Sequence, residues 1–184
     1  NPRYTALDMP LRPISMVSHP KDDTLQFAMR LSDSSFKKSV VEMAIGDTAT
    51  IFAPMGNFTL KGKNKRIVFL ASGIGITPVL PMLKTLEQQQ FAGEVVVFYS
   101  NKTEASAAFH SDLQHSTLAN YTYLPVFTAT QKLLNTDFLK EHLHTLTDCD
   151  YYIVGTNSFT KAMQELLLKE NVPATTIFKD DFGR

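Results

Sequence analysis

The sequence predicts an α/β protein in which a small β part precedes a doubly wound parallel sheet. After Lys65, short apolar runs alternate with amphipathic helical patterns, and this order is typical of a parallel sheet covered by helices on both faces. Before Lys61, the chain shows short extended segments separated by turn-rich stretches. We therefore predict two domains, which we call the front part (residues 1–62) and the back part (residues 63–184).

The front part contains three predicted strands and one predicted short helix. The strands are 12–18, 24–31 and 48–53, and the helix is 34–43. Ser34 or Ser35 is the predicted cap of this helix, because a serine hydroxyl accepts a hydrogen bond from a backbone N–H of the first turn. The turn-rich residues 19–23 and 54–57 bound the predicted strands.

The back part contains five predicted strands and four predicted helices. The strands are 67–71, 94–99, 121–127, 150–154 and 175–179. The helices are 78–90, 105–115, 137–146 and 159–170. Thr77 suits the N-cap of the first of these helices, Pro78 suits its first position, and Ser158 suits the N-cap of the last.

Two glycine turns follow predicted strands of the back part. Gly73 and Gly75 follow an apolar run that is too short to span a membrane, and Gly155, Thr156 and Asn157 follow another. Glycine lets backbone N–H groups approach a ligand closely, and a helix N-terminus favours an anion. Because the carboxyl ends of parallel strands meet at one edge of a sheet, both turns are predicted to face one nucleotide.

The composition excludes several classes of function. Among 184 residues, Lys+Arg and Asp+Glu both number 18, so no overall field favours a nucleic acid or an anionic membrane. No apolar run is long enough for a membrane span. The single cysteine, Cys149, excludes an intrachain disulfide and a four-cysteine iron–sulfur cluster, and it fits a cytoplasmic protein. The histidines lack a chelating spacing, so we predict no metal site.

Five segments of the chain together carry a family resemblance. They are Arg12-Pro13-Ile14-Ser15, Pro54-Met55-Gly56-Asn57-Phe58, Gly73-x-Gly75-x-Thr77-Pro78, Tyr152-Ile153-Val154-Gly155 and Asp180-Asp181-Phe182-Gly183. In this order, they resemble the motifs of the ferredoxin–NADP reductase-like flavoenzyme family across the whole chain. The resemblance implies that the front part is an antiparallel Greek-key barrel that binds flavin. It implies that the doubly wound back part binds a nicotinamide nucleotide.

The resemblance implies a set of residues around FAD. Arg12 would pair with the pyrophosphate, which suits a planar guanidinium, and Ser34 or Ser35 would meet phosphate oxygens. Ser15 would hydrogen-bond near flavin N5, where hydride arrives. The cofactor would also be lined by Pro13, Ile14, Met16, Val17 and Ser18. This sequence departs from the family at Ile14, where the motif has a tyrosine, and no glycine precedes Ser34 or Ser35.

The resemblance also implies residues around the nicotinamide. The nucleotide would be held by Gly73, Gly75, Thr77 and Pro78 on one side and by Gly155, Thr156 and Asn157 on the other. Asp180 and Phe182 would sit near the isoalloxazine ring and, with Ser15, form the catalytic set.

On this resemblance, the chain is predicted to be a flavin-dependent NAD(P)H oxidoreductase. It would pass hydride from NADH or NADPH to FAD, and then electrons to a small redox protein or a small-molecule acceptor. The loop after the second predicted strand of the back part holds Lys102 and no arginine, which favours NADH slightly. FMN in place of FAD stays open.

Two other classes of function stay open. One is a non-catalytic nucleotide-binding module with a reductase-like fold, and Ile14 favours it. The other is a reductase subunit that is active only within a complex. Residues 1–62 supply about three or four strands, whereas a closed barrel of this type needs roughly six. We therefore expect further strands before Asn1.

Overall fold

The computed structural model describes residues 12–130 and 133–181, and a five-stranded parallel sheet forms its centre. The strands are β1 (Arg66–Ser72), β2 (Glu94–Asn101), β3 (Tyr121–Phe127), β4 (Cys149–Gly155) and β5 (Ile177–Asp181). The α-helices are α1 (Ser35–Val41), α2 (Val79–Gln88), α3 (His110–Leu113), α4 (Thr136–Leu143) and α5 (Asn157–Lys169). Three 3₁₀ turns are Gly73–Ile76, Glu104–Ser106 and Ala174–Thr176.

The strand order is β3-β2-β1-β4-β5, so the order reverses between β1 and β4. All neighbouring strands are parallel, and therefore their carboxyl ends lie at one edge of the sheet. A crevice for a ligand opens at such a reversal, where the two connecting segments leave towards opposite faces. β1 continues there into Gly73, and β4 ends there at Gly155.

Two apolar layers cover the sheet because successive strand residues point to opposite faces. Phe69 of β1 packs in the layer that includes α2, and its neighbour Leu70 packs in the layer that includes α4 and α5. Both residues are completely buried. This two-sided burial explains why residues 67–71 of β1 and 151–154 of β4 are continuous apolar runs rather than alternating ones.

The structure confirms the five predicted strands of the back part and three of its four helices. β5 begins two residues later than predicted, because Ala174–Thr176 forms a 3₁₀ turn. The predicted helix over 105–115 is wrong. It is broken into the Glu104–Ser106 turn and the one-turn α3, because Phe109 between them takes a left-handed conformation with φ of 59°.

Two predicted caps are also wrong. The 3₁₀ turn Gly73–Ile76 runs into α2, so Thr77 ends that turn instead of capping the helix, and Pro78 occupies the N-cap position. At α5 the cap is Thr156, whose hydroxyl accepts a hydrogen bond from the Phe159 N–H. Ser158 is already inside the helix and lies 3.1 Å from the Thr156 hydroxyl.

The front part keeps its predicted helix but not its predicted strands. Helix α1 begins after Ser34, whose hydroxyl accepts from the Lys37 N–H. The prediction of strands at 12–18, 24–31 and 48–53 is wrong, because these segments do not form β-ladders. Within residues 12–60, strand pairing is limited to one antiparallel bridge between Met16 and Phe27. An extended segment needs a partner strand at its edge, and these segments find almost none among the described residues.

Candidate functional site

The two glycine turns meet at the carboxyl edge of the sheet, as the sequence predicts. A Cβ atom added to Gly75 would stand 2.8 Å from Gly155 Cα and 2.9 Å from the Val154 carbonyl oxygen. A Cβ added to Gly155, where φ is +154°, would stand 2.9 Å from Ser72 Cβ. The two turns therefore touch backbone to backbone, and no larger residue fits at either position.

Two hydroxyl groups stabilise the first turn, residues 73–76, by hydrogen bonds to its backbone carbonyl oxygens. Tyr99 is fully buried, and its hydroxyl donates to the Gly73 carbonyl oxygen at 2.8 Å. Burial raises the pKa of Tyr99, so its hydroxyl stays protonated and remains a donor. The Thr77 hydroxyl donates to the Ile74 carbonyl oxygen at 3.0 Å. Thr77 and Pro78 are both buried, and the Thr77 hydrogen bond stabilises the conformation of the turn.

The second turn presents the start of a long helix at the same edge. Thr156 and Asn157 are exposed, and α5 begins at Asn157 and runs for 13 residues. The first backbone N–H groups of such a helix have no partner within it and carry partial positive charge. This end of α5 is therefore suited to an anionic group.

The end of β5 lies beside the second turn. The register pairs Asp180 with Val154 and Asp181 with Gly155, so the predicted catalytic residue Asp180 reaches the edge where the glycine turns meet. Phe182, the other predicted residue of this segment, lies outside the described residues.

Arg30 is a candidate site residue that the sequence analysis missed. A Cβ added to Gly73 would stand 3.7 Å from its Nη2 atom, so the guanidinium lies in front of the first turn. Nη2 also donates to the Ser106 carbonyl oxygen at 3.3 Å. A guanidinium beside a glycine turn is suited to a diphosphate. No local pattern marks Arg30, because its hydrogen bond to Ser106 joins residues that are 76 positions apart and Gly73 is also distant in the sequence.

The residues predicted to meet flavin phosphates are brought together around α1. The guanidinium carbon of Arg12 lies 5.7 Å from the ring centroid of Phe36. The Ser35 hydroxyl is buried and has no hydrogen-bond partner among the described residues. Lys37 donates from Nζ to the Arg30 carbonyl oxygen. Helix α1 therefore joins the Arg12 group to the arginine that faces Gly73.

The remaining predicted flavin residues lie along the bridged segment before α1. Met16 pairs with Phe27, and the Val17 N–H donates to the Gln26 carbonyl oxygen at 2.8 Å. The Ser18 hydroxyl accepts from the Gln26 N–H at 3.0 Å, so Ser18 fixes this bridge. Pro13 is exposed, and Ile14 and Ser15 are half-buried.

The described residues also bear on metal binding, thiol chemistry and membrane spans. No group of three or more His, Cys, Asp and Glu side chains within 12–130 and 133–181 is arranged to hold a metal ion. Cys149 is fully buried, and burial raises the pKa of its thiol to about 11. None of the helices in this part of the chain has the length and apolar content needed to cross a bilayer.

Comparison with known proteins finds a matching family model and similar curated relatives. The family model of the oxidoreductase NAD-binding domain matches residues 69–165, more than half of the chain. The flavohemoprotein of Bacillus subtilis (strain 168) is 28% identical in an alignment of 195 positions, which covers 98% of this chain and 46% of that protein. The anthranilate 1,2-dioxygenase electron transfer component of Acinetobacter baylyi is 25% identical over 195 residues, which cover 98% of this chain and 57% of that protein.

A solved structure shares the fold. The ferredoxin NADP+ reductase from Neisseria gonorrhoeae with bound FAD and NADP aligns with a TM-score of 0.72 at 23% identity, covering 92% of this chain and 79% of that one. The chain spans only 37% to 57% of the length of four curated relatives that it matches.

Proposed function

We propose, because this chain belongs to the oxidoreductase NAD-binding domain family, that it carries the nicotinamide-nucleotide site of a flavin-dependent NAD(P)H reductase. The observation that carries this proposal is the contact between the two glycine turns, at Gly75 and Gly155. We call the two touching turns the cradle; they lie at the carboxyl edge of the sheet, which is where this class of sheet binds nucleotides.

The residues of the cradle fit a nicotinamide dinucleotide. Missing Cβ atoms at Gly75 and Gly155 let the two turns pack directly against each other, and the start of α5 beside them carries the partial positive charge that favours an anion. Arg30 in front of Gly73 adds a permanent positive charge for the diphosphate. We propose that NADH is preferred over NADPH, since the loop after β2 holds Lys102 and no arginine.

The residues around α1 fit the phosphates of FAD. Arg12, which lies over the Phe36 ring, supplies a positive charge, and Ser35, the residue before Phe36 in α1, supplies a hydroxyl without a partner among the described residues. When bound, FAD would supply the hydride acceptor for NAD(P)H. In this proposal Ser15 donates a hydrogen bond towards the reacting end of the flavin, and Asp180, in β5, belongs to the catalytic set together with Phe182.

In this proposal, residues 1–62 belong to a flavin-binding barrel domain and residues 63–184 to the nucleotide-binding domain. The electrons leave to a small redox protein, a haem or oxygenase partner, or a small acceptor. Two of the relatives support this range, because one is a flavohemoprotein and another is an electron transfer component of a dioxygenase. A cytoplasmic location and the use of FAD rather than FMN stay predictions.

A second candidate is a reductase unit that works only when another polypeptide segment completes its front part. The exposed apolar side chains of the front part favour it. Leu31 and Phe52 are each 67% exposed, and Met55 is 84% exposed. Exposed apolar surface of this kind marks a contact with another chain or segment.

The test is a visible spectrum of the purified whole polypeptide before and after anaerobic addition of NADH. We expect flavin absorption bands that bleach when NADH is added, and a weaker response to NADPH. A colourless protein that binds NADH but takes up no added FAD or FMN contradicts the reductase proposal and favours the non-catalytic binding module. A protein that becomes active only with a second chain favours the complex.

A further inference from the structure

The segment between the front part and the sheet is held by two side chains of β4. The Tyr152 hydroxyl accepts from the Lys61 N–H at 2.8 Å and from the Gly62 N–H at 2.9 Å. Two residues earlier, the Asp150 carboxylate accepts from the Asn64 N–H at 2.7 Å and from the Asn64 side-chain amide at 3.0 Å. Four hydrogen bonds therefore fix residues 61–64 to one strand.

The close approach of this segment depends on Gly62. A Cβ added there would clash with the Asp150 carboxylate oxygen Oδ2, and Asp150 is only 2% exposed. The carboxylate cannot swing away freely, because Asn64 holds both of its oxygens. The backbone therefore lies directly against the strand at this point.

The ring of Tyr152 ties the same segment to the last strand of the sheet. It stacks on Phe178 of β5, with ring centroids 4.9 Å apart, and meets the edge of Phe58 at 5.9 Å. Phe58 and Leu60 pack with α2 on this face of the sheet. Three residues beyond Tyr152, β4 reaches Gly155, and two residues beyond Phe178, β5 reaches Asp180.

We infer that Tyr152, with Asp150, is a clamp that sets where the front part lies relative to the nucleotide edge, and that Tyr152 is a positioning residue for hydride transfer. The hydride part of this inference rests on the proposed function. A hydride donor and acceptor carried by two parts of a chain react only when the parts are held in register, and small displacements slow the reaction strongly. The Tyr152 hydroxyl bonds residues 61 and 62 and its ring packs on Phe58 and Phe178, so it acts through the clamped segment.

The experiment compares Tyr152→Phe with Tyr151→Phe in the whole polypeptide. The two tyrosines are adjacent, and both are completely buried. The Tyr151 hydroxyl donates to the Leu146 carbonyl oxygen at 2.9 Å on the opposite face, so its loss costs a hydrogen bond without touching the clamp. Lys61, Lys63 and Lys65 are exposed and provide trypsin sites in the clamped segment.

We expect Tyr152→Phe to speed tryptic cleavage between residues 61 and 65 about tenfold, because two backbone N–H groups lose their acceptor and the segment opens more often. Tyr151→Phe should leave that cleavage rate within about twofold of the wild type. Asn64→Ala, which keeps the tyrosine and removes one bond to Asp150, should speed the same cleavage by a smaller factor. It also provides the test if Tyr152→Phe does not fold.

The kinetic readout separates positioning from nucleotide binding. We expect Tyr152→Phe to lower kcat for NADH oxidation about tenfold while KM for NADH stays within about twofold, since the glycine turns are untouched. Unchanged cleavage in both Tyr152→Phe and Asn64→Ala overturns the clamp. Faster cleavage with unchanged kcat overturns the positioning role. A wild type that does not oxidise NADH overturns the proposed function and the hydride part with it, whereas the cleavage result still decides the clamp.

Discussion

At the residue scale, the contact between the two glycine turns requires a residue without a Cβ atom at position 75. Its Cβ position lies 2.8 Å from backbone Cα of Gly155, and backbone cannot rotate out of the way as a side chain does. We expect Gly75→Ala to lower the free energy of unfolding by about 1–3 kcal/mol, as overpacking does. It should also weaken NADH binding about tenfold, because the two turns must separate. Urea unfolding and NADH titration measure the two effects.

The matched control for that change is Gly46→Ala. Gly46 has φ of +99° and no atom within 4 Å of its Cβ position, so alanine there meets backbone strain without a clash. We expect it to cost some stability and to leave NADH affinity unchanged. An equal loss of affinity in both variants would mean that general destabilisation, not the cradle, weakens binding.

Arg30 supports a second prediction at this scale. We expect Arg30→Gln to weaken NADH binding by about 1.5–3 kcal/mol, the range for hydrogen bonds to charged groups, and to flatten the dependence of affinity on salt. Lys38→Gln is the control, since Lys38 is a cation of the same front part that pairs with Asp33 at 3.3 Å. Equal affinity in the wild type and Arg30→Gln would remove Arg30 from the site.

At the element scale, α5 depends on Thr156 and not on the predicted Ser158. Thr156→Ala removes the hydroxyl that accepts from the Phe159 N–H at 3.4 Å. We expect a loss of about 0.5–2 kcal/mol in the free energy of unfolding, measured with urea. Ser158→Ala should cost less than about 0.5 kcal/mol, because Ser158 is already within the helix. The reverse order of losses would restore Ser158 as the cap.

The elements that could be predicted are those whose burial is set by their own sequence. β1 and β4 are buried on both faces, so residues 67–71 and 151–154 appear as apolar runs, and the glycine turns are predicted from their position directly after these runs. The broken helix around Phe109 could not be predicted, because a left-handed phenylalanine has no local signal. The caps were missed by one or two residues, since the start of a helix depends on how the turn before it folds.

At the scale of the whole molecule, the features that sequence could not reveal are long-range contacts. Arg30 meets the first glycine turn, and Tyr152 holds residues 61 and 62, through contacts between segments that are far apart in the chain. The three predicted front strands failed for a related reason. A strand forms only when a neighbour satisfies its edge, and the pattern of one segment does not say whether that neighbour is present.

The exposed apolar front also makes a prediction for the molecule as a whole. The chain of 184 residues has a formal net charge of zero, so charge repulsion does little to keep copies apart. We expect the isolated chain to self-associate and to bind apolar dyes through the front part. Changing Leu31 and Phe52 to serine should reduce both effects with little change in the free energy of unfolding, because each is 67% exposed.

Leu133→Ser is the control, since Leu133 is 70% exposed but lies outside the front part. Light scattering and dye fluorescence measure the response, and an equal reduction by the control would mean that association follows scattered apolar residues and not one surface.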